Sequence, residues 1–166
     1  MNHWHALSLL LHLVALTLWL GGIAFFLVAF GPAVQGLAPD AGIRALNRGR
    51  LALEGVAWIG IALVMVTGVV NLILRSQATG AHLGQTYMIV LAIKLFLFVA
   101  MLAHHTLQVF KYGPKIAALS AEVAGDVAAW PETLRTHWQK WFMLAKLNAA
   151  LGLIVMLLGV LLMKIY

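Results

Sequence analysis

The stretch ALSLLLHLVALTLWLGGIAFFLVAF, residues 6–30, contains no Asp, Glu, Lys or Arg and runs into a Gly31-Pro32 step. Roughly 20 consecutive apolar residues carry a helix across a hydrocarbon layer about 30 Å thick, and proline cannot continue a helix. The stretch therefore predicts a membrane-spanning helix with a defined end. A cleaved signal peptide has a basic leading region and a shorter apolar core, whereas Met1-Asn2-His3-Trp4-His5 has neither Lys nor Arg. The helix is expected to be retained.

Three more runs of this kind follow. One goes from Gly55 to Leu74, one from Met88 to Phe110 with Lys94 and His104-His105 inside it, and one from Trp141 to Met163 with Lys146 near its start. The composition agrees: of 166 residues 63% are hydrophobic and 10% charged, with a mean hydropathy of +0.97. Soluble chains are about a quarter charged, so this one cannot coat a water-facing surface. The expected fold is all-α and integral to the membrane, a four-helix transmembrane bundle in one domain over 1–166, with spans at about 6–30, 55–74, 88–110 and 141–163. The absence of cysteine excludes disulfides, thiolate metal sites and thioether-linked haem.

A net charge of +6 is in principle compatible with a nucleic-acid partner, but the basic residues are scattered between apolar runs and form no patch. Nucleic acid is not expected. Their placement reports topology instead. Arg44, Arg48 and Arg50 follow the first span and Lys111, Lys115, Arg135 and Lys140 follow the third, while Arg75 and Lys164 stand on the other side. Positive residues mark the cytoplasmic side, which puts both termini and the 75–87 loop with His82 outside. Glu54 falls at the cytoplasmic edge, where headgroup solvation is expected. Residues 116–139 mix Ala and Leu with Glu122, Asp126, Glu132 and Trp130-Pro131, which predicts a short interfacial helix.

The chain also reads as two copies of a helical hairpin. Phe30-Gly31-Pro32-Ala33-Val34 recurs 82 residues later as Tyr112-Gly113-Pro114-Lys115-Ile116, and Met65-Val66-Thr67-Gly68-Val69 resembles Met156-Leu157-Leu158-Gly159-Val160. The copies would be related by a pseudo-twofold axis along the membrane normal. The same offset sets His12 opposite Lys94, each roughly 10 Å below the outer end of its helix at 1.5 Å per residue.

Ionisable groups inside a bilayer cost roughly 2.5–3.5 kcal/mol even on lenient scales, so they default to functional hypotheses. His12, Lys94 and Thr67 or Asn71 make an outer layer. A neutral imidazole is a common haem ligand, and an amine neutralised by burial can be a second; otherwise Lys94 snorkels outward and His12 bonds the backbone or Asn71. An inner layer holds His104, His105 and Asn148. Lys94, Phe98, Met101 and His105 share one helix face with Gln108 nearby, and Asn148, Gly152, Val155 and Gly159 form a stripe on the fourth helix. His105 either bonds Asn148 or ligates a metal; His104 is a partner or a lipid-interface residue. The two histidine levels lie roughly 12 Å apart, so one iron cannot bind both. Either His12 and Lys94 hold one haem, or a second site uses His105 or His104 with His137 or water.

Copper is the rival cofactor. Met65, Met101 and Met156 suit Cu(I), and His3, His5, His12, Met101 and His105 could form a relay. No nucleophile elbow, phosphate loop or carboxylate dyad is present.

The segments Leu11-His12-Leu13, Leu18-Trp19-Leu20-Gly21-Gly22, Phe25-Phe26, Lys94-Leu95, Ala103-His104-His105 and Leu147-Asn148-Ala149-Ala150-Leu151-Gly152 together resemble the copper-resistance protein D family. They are also similar to the four-helix HemJ-type protoporphyrinogen oxidases. That family tends to show Tyr-His where this chain has His104-His105, and Asn-Glu-x-Pro where it has Asn148-Ala149-Ala150-Leu151, so the fourth helix is closer to the copper-resistance side. The resemblance implies a bacterial inner-membrane bundle with a b-type haem or copper role, and His12, Lys94 and His105 at characteristic positions. The expected function is electron transfer by one or two b-type haems, fed by a quinone or a partner subunit. The alternatives are copper transport, a protoporphyrinogen oxidase-like enzyme, and a structural subunit of a larger membrane complex.

Overall fold

A computed structural model describes residues 3–80, 82–123 and 127–165. Met1, Asn2 and Asp126, used in the reading of the sequence, lie outside the described residues. Four long helices account for nearly all of the structure: α1 His3–Val34, α2 Pro39–Ala78, α3 Gln85–Glu122 and α4 Glu132–Lys164, each apolar and long enough to cross a membrane. The expected spans all fall inside them. This is an all-α four-helix bundle and a multi-pass membrane protein. Its outer surface carries large apolar side chains, Val28 and Phe96 among the most exposed, which water would penalise and lipid tails accept.

α1 packs along α2, and α3 along α4. Glycines set how close the backbones come. A Cβ on Gly60 would stand 3.0 Å from Trp19 Cβ and 3.1 Å from the Ala15 carbonyl oxygen, so α1 and α2 meet where α2 has no side chain. Small residues at such contacts let dispersion act over the whole helix face. Trp19 and Ala15 are fully buried there. On the other side of α1, Gly152 of α4 stands against the Leu20 side chain.

Three π-helical stretches interrupt the α geometry, at Thr17–Gly21, Phe26–Phe30 and Leu107–Tyr112. The last two each run directly into a Gly-Pro step, at Gly31-Pro32 and Gly113-Pro114. Proline lacks the N–H for the helical bond and its ring crowds the preceding turn, and a wide turn relieves both. The ends of the two stretches, Phe30 and Tyr112, are related by the offset of the sequence repeat. The two hairpins thus share a backbone irregularity as well as a motif.

Helix α2 has 40 residues, about 60 Å at 1.5 Å per residue, twice what a bilayer core needs. Its leading part packs instead with the end of α3 and the start of α4, around Ile43, Leu46, Ile116, Leu134 and Trp138. The sequence predicts one interfacial helix over 116–139. In the structure that stretch is divided between two long helices: α3 continues past Pro114 to Glu122, and α4 has begun by Glu132. The wide turn before Gly113 makes room for the Pro114 ring inside α3. Pro131 stands at the N-cap of α4, its carbonyl accepting from the Arg135 N–H.

Glu54 is another correction. It is not solvated by headgroups: its carboxylate is buried, and Arg50, one turn earlier, donates to both of its oxygens at 2.7 and 2.8 Å. Trp141 Nε1 adds a longer contact at 3.4 Å, and Asn47 accepts from the far side of the same guanidinium.

Candidate functional site

Near the end of the bundle that carries both termini, all four helices line one cavity of about 350 Å³, at the small end of the range for small-molecule sites (roughly 300–1,000 Å³). His12 comes from α1, Gly68 and Asn71 from α2, Lys94 and Phe98 from α3, and Gly159 from α4. The sequence offset that set His12 opposite Lys94 thus corresponds to two side chains of one cavity.

His12 is held by its neighbour. Its Nδ1 lies 2.7 Å from Thr67 Oγ1, and the same hydroxyl lies 2.5 Å from the Leu63 carbonyl oxygen. A hydroxyl has one proton to give, and the carbonyl can only accept. The Thr67 proton therefore goes to Leu63, so the imidazole donates from Nδ1. In the neutral form of the ring Nε2 then carries the lone pair, and the Val64 carbonyl also meets the imidazole. Metal-ligating histidines are oriented in this way, one nitrogen fixed and the other offered.

Lys94 stands in a matching position. A Cβ on Gly159 would lie 3.3 Å from Lys94 Nζ, as a Cβ on Gly68 would lie 3.5 Å from His12 Cε1. Each polar side chain thus rests against the equivalent glycine of the next helix, Gly68 and Gly159 being the glycines of the second sequence repeat. Lys94 has no hydrogen bond or ion pair among the described residues. Asn71 Oδ1 is buried with no partner. The apolar chamber thus gathers an imidazole, an amine with no hydrogen bond among the described residues and an Asn71 oxygen without a partner, the few convergent polar groups typical of a small-molecule site.

Arg75 and Tyr87 also line the cavity. Arg75 donates to the Leu162 and Ile165 carbonyls and lies 4.3 Å over the Tyr87 ring. A cation at free carbonyls of a helix C-terminus is favoured by its dipole, and the contact ties α2, α3 and α4 together.

Of the two inner histidines, the one that bonds Asn148 is His104, which the sequence offered as a partner or a lipid-interface residue. His104, not His105, meets Asn148: its Nδ1 donates to Asn148 Oδ1 at 3.2 Å, while Asn148 Nδ2 donates to the Met101 carbonyl at 3.2 Å. His105 is buried with Nε2 unpartnered, and presents its ring to Trp58 at 5.0 Å and Trp19 at 6.3 Å. Trp19 in turn meets Phe98 at 6.0 Å, so aromatic rings separate His105 from the cavity. His137 donates to its own Thr133 carbonyl at 2.8 Å, and it precedes Asn148 by 11 residues, about 16 Å along α4. It does not share a level with His104. The stripe Asn148, Gly152, Val155 is buried as its spacing requires, and so are Met101, His105 and Gln108 on α3.

His5 lines the cavity with His12, as do Met65 and Met163; Met101 is buried, and His3 is exposed. Among the described residues no three His, Asp or Glu side chains cluster as a metal site. The residues that sequence reasoning missed are Trp58 and Arg50. Arg50 was visible in principle, four residues from an acid on one helix face.

Comparisons with protein-family models, with curated proteins and with solved structures find no match to this chain.

Proposed function

We propose that the chain is a small membrane cytochrome that holds one b-type haem in the four-helix cavity and passes electrons. The observation that carries this reading is His12: an imidazole fixed through Nδ1 by Thr67 on the wall of an apolar chamber. The donor set fits the group. His12 would hold the iron, and Lys94, on a facing wall of the same cavity, would be the second ligand. Gly68 and Gly159 leave room for the His12 ring and the Lys94 amine, and the apolar lining would keep water from the metal. Bound there, a haem supplies one-electron chemistry. Electrons would come from a quinone or a partner subunit within a larger membrane complex.

The positive residues gather at the end away from the termini. By the positive-inside rule that end faces the cytoplasm, in a bacterial inner membrane with both termini outside, which brings the haem near the outer face. The resemblance to the copper-resistance protein D family and to the four-helix oxidases leans the same way.

The test is the spectrum of the detergent-purified chain. A Soret band and a reduced α-band are expected, lost in His12→Ala and shifted in Lys94→Met; colourless protein, or spectra unchanged in both variants, overturns the assignment. A copper-handling role is the second reading, favoured by His5, Met65 and Met163 beside His12 in one cavity, a donor set suited to Cu(I). Metal analysis after copper loading separates the two.

A further inference from the structure

A second cavity, of about 430 Å³, lies at the end away from the termini, between α1 and α4. Its α4 side is a single helical stripe, Gln139, Phe142, Met143 and Lys146, at the i, i+3, i+4, i+7 spacing of one face. Its α1 side is Gly31-Pro32 and, just beyond the helix, Gln35. Gly31 fixes the floor, since a Cβ there would lie 3.6 Å from the Phe142 ring and 3.0 Å from the Phe26 carbonyl oxygen. The ring is thus held against the helix, and a groove is left beside it.

Lys146 is exposed and has no hydrogen bond or ion pair among the described residues. It stands seven residues inside Gln139, about 10 Å deeper along α4. A permanent charge at that depth is costly without a partner. Helical side chains tilt toward the N-terminus, and α4 starts at this end of the bundle. That direction lets the lysine stem snorkel back along the face of Phe142 and Met143 and bring its ammonium nearer the rim than its Cα. An ammonium and two amides at the rim of a membrane-edge groove, with apolar side chains below them, match a lipid with an anionic head and acyl tails. Phosphate groups suit a point cation of this kind, and basic pockets between spanning helices bind acidic headgroups.

We propose that this groove seats an acidic phospholipid of the adjoining leaflet, its phosphate on Lys146, its head against the Gln35 and Gln139 amides and a tail over Met143. This site is separate from the histidine cavity and does not depend on what that cavity holds.

The test is native mass spectrometry of the full chain, released from nanodiscs or detergent with phosphatidylglycerol or phosphatidylcholine. The unmodified chain should retain one phosphatidylglycerol in preference to phosphatidylcholine. Lys146→Gln should weaken that retention about tenfold, while Lys140→Gln, a lysine outside the groove, changes it less than about twofold. Equal retention of the two lipids, unchanged retention in Lys146→Gln, or equal losses in both lysine variants would each overturn the proposal, the last by showing diffuse attraction to the surface. The two-lipid comparison uses the unmodified chain, so it holds whether or not a variant folds.

Discussion

Thr67 fixes the tautomer of His12: its hydroxyl lies 2.7 Å from the imidazole Nδ1 and 2.5 Å from the Leu63 carbonyl oxygen, so its one proton is committed to the backbone and the ring must donate. Replacing threonine by valine keeps the shape and removes the acceptor. Outer partners of ligating histidines typically contribute 10–100-fold in affinity. Thr67→Val is expected to weaken haem retention by about that factor, and Thr67→Ser to keep it, as read by haem titration at the Soret band.

The inner histidine yields the opposite expectation. His105 Nε2 is buried without a partner between two tryptophan rings, and an unsatisfied buried polar atom costs about 1–3 kcal/mol. His105→Phe should therefore leave melting in detergent unchanged or raise it, and leave the Soret absorbance per protein intact. A loss of half that absorbance would point to a second haem.

Arg50 and Glu54 form a buried pair, the guanidinium nearly inaccessible. Removing one partner strands the other, at a cost of about 3–5 kcal/mol, whereas apolar replacement of both is far milder. Glu54→Leu and Arg50→Met are each expected to lower thermal stability sharply, and the double variant to recover most of the loss. Additive losses in a double-mutant cycle would show that the pair is not coupled.

Glycines of α2 differ in what surrounds them. A Cβ on Gly60 would meet Trp19 and the Ala15 carbonyl at about 3 Å, while one on Gly55 meets nothing within 4 Å. Gly60→Ala should force α1 and α2 apart and lower the melting temperature. Gly55→Ala, in the same helix with open space around it, should be neutral or stabilising.

The four helices were legible because a run such as residues 6–30 has no charge to interrupt it, and burial of the backbone in lipid leaves few alternatives to a helix. His12 and Lys94 could be paired from the sequence through the 82-residue offset, and both line one cavity. The partner of Asn148 was not. His104 and His105 stand about 100° apart round one helix, and only the rotation of α3 against α4 decides which of them faces the amide. Arg50 and Glu54 were assigned to the membrane edge because charge near the end of a span normally meets water. What hides them is the end of α3 packed over α2, with Gly113 close enough that a Cβ there would stand 2.7 Å from the Arg50 guanidinium. No local pattern announces that contact.

The wide turns before Gly31 and Gly113 bear on how such a chain can change length. A π-turn is an α-helix that has absorbed one extra residue. Deleting a single residue within 26–30 or 107–112 should let that turn close to ordinary pitch while the helix faces on either side keep their directions. In the α-helical parts of a span a one-residue deletion would swing everything beyond it by about 100° and carry His12 or Lys94 out of the cavity. With the stretch at Thr17–Gly21, these turns are places where the bundle can shed a residue and keep its interior in phase.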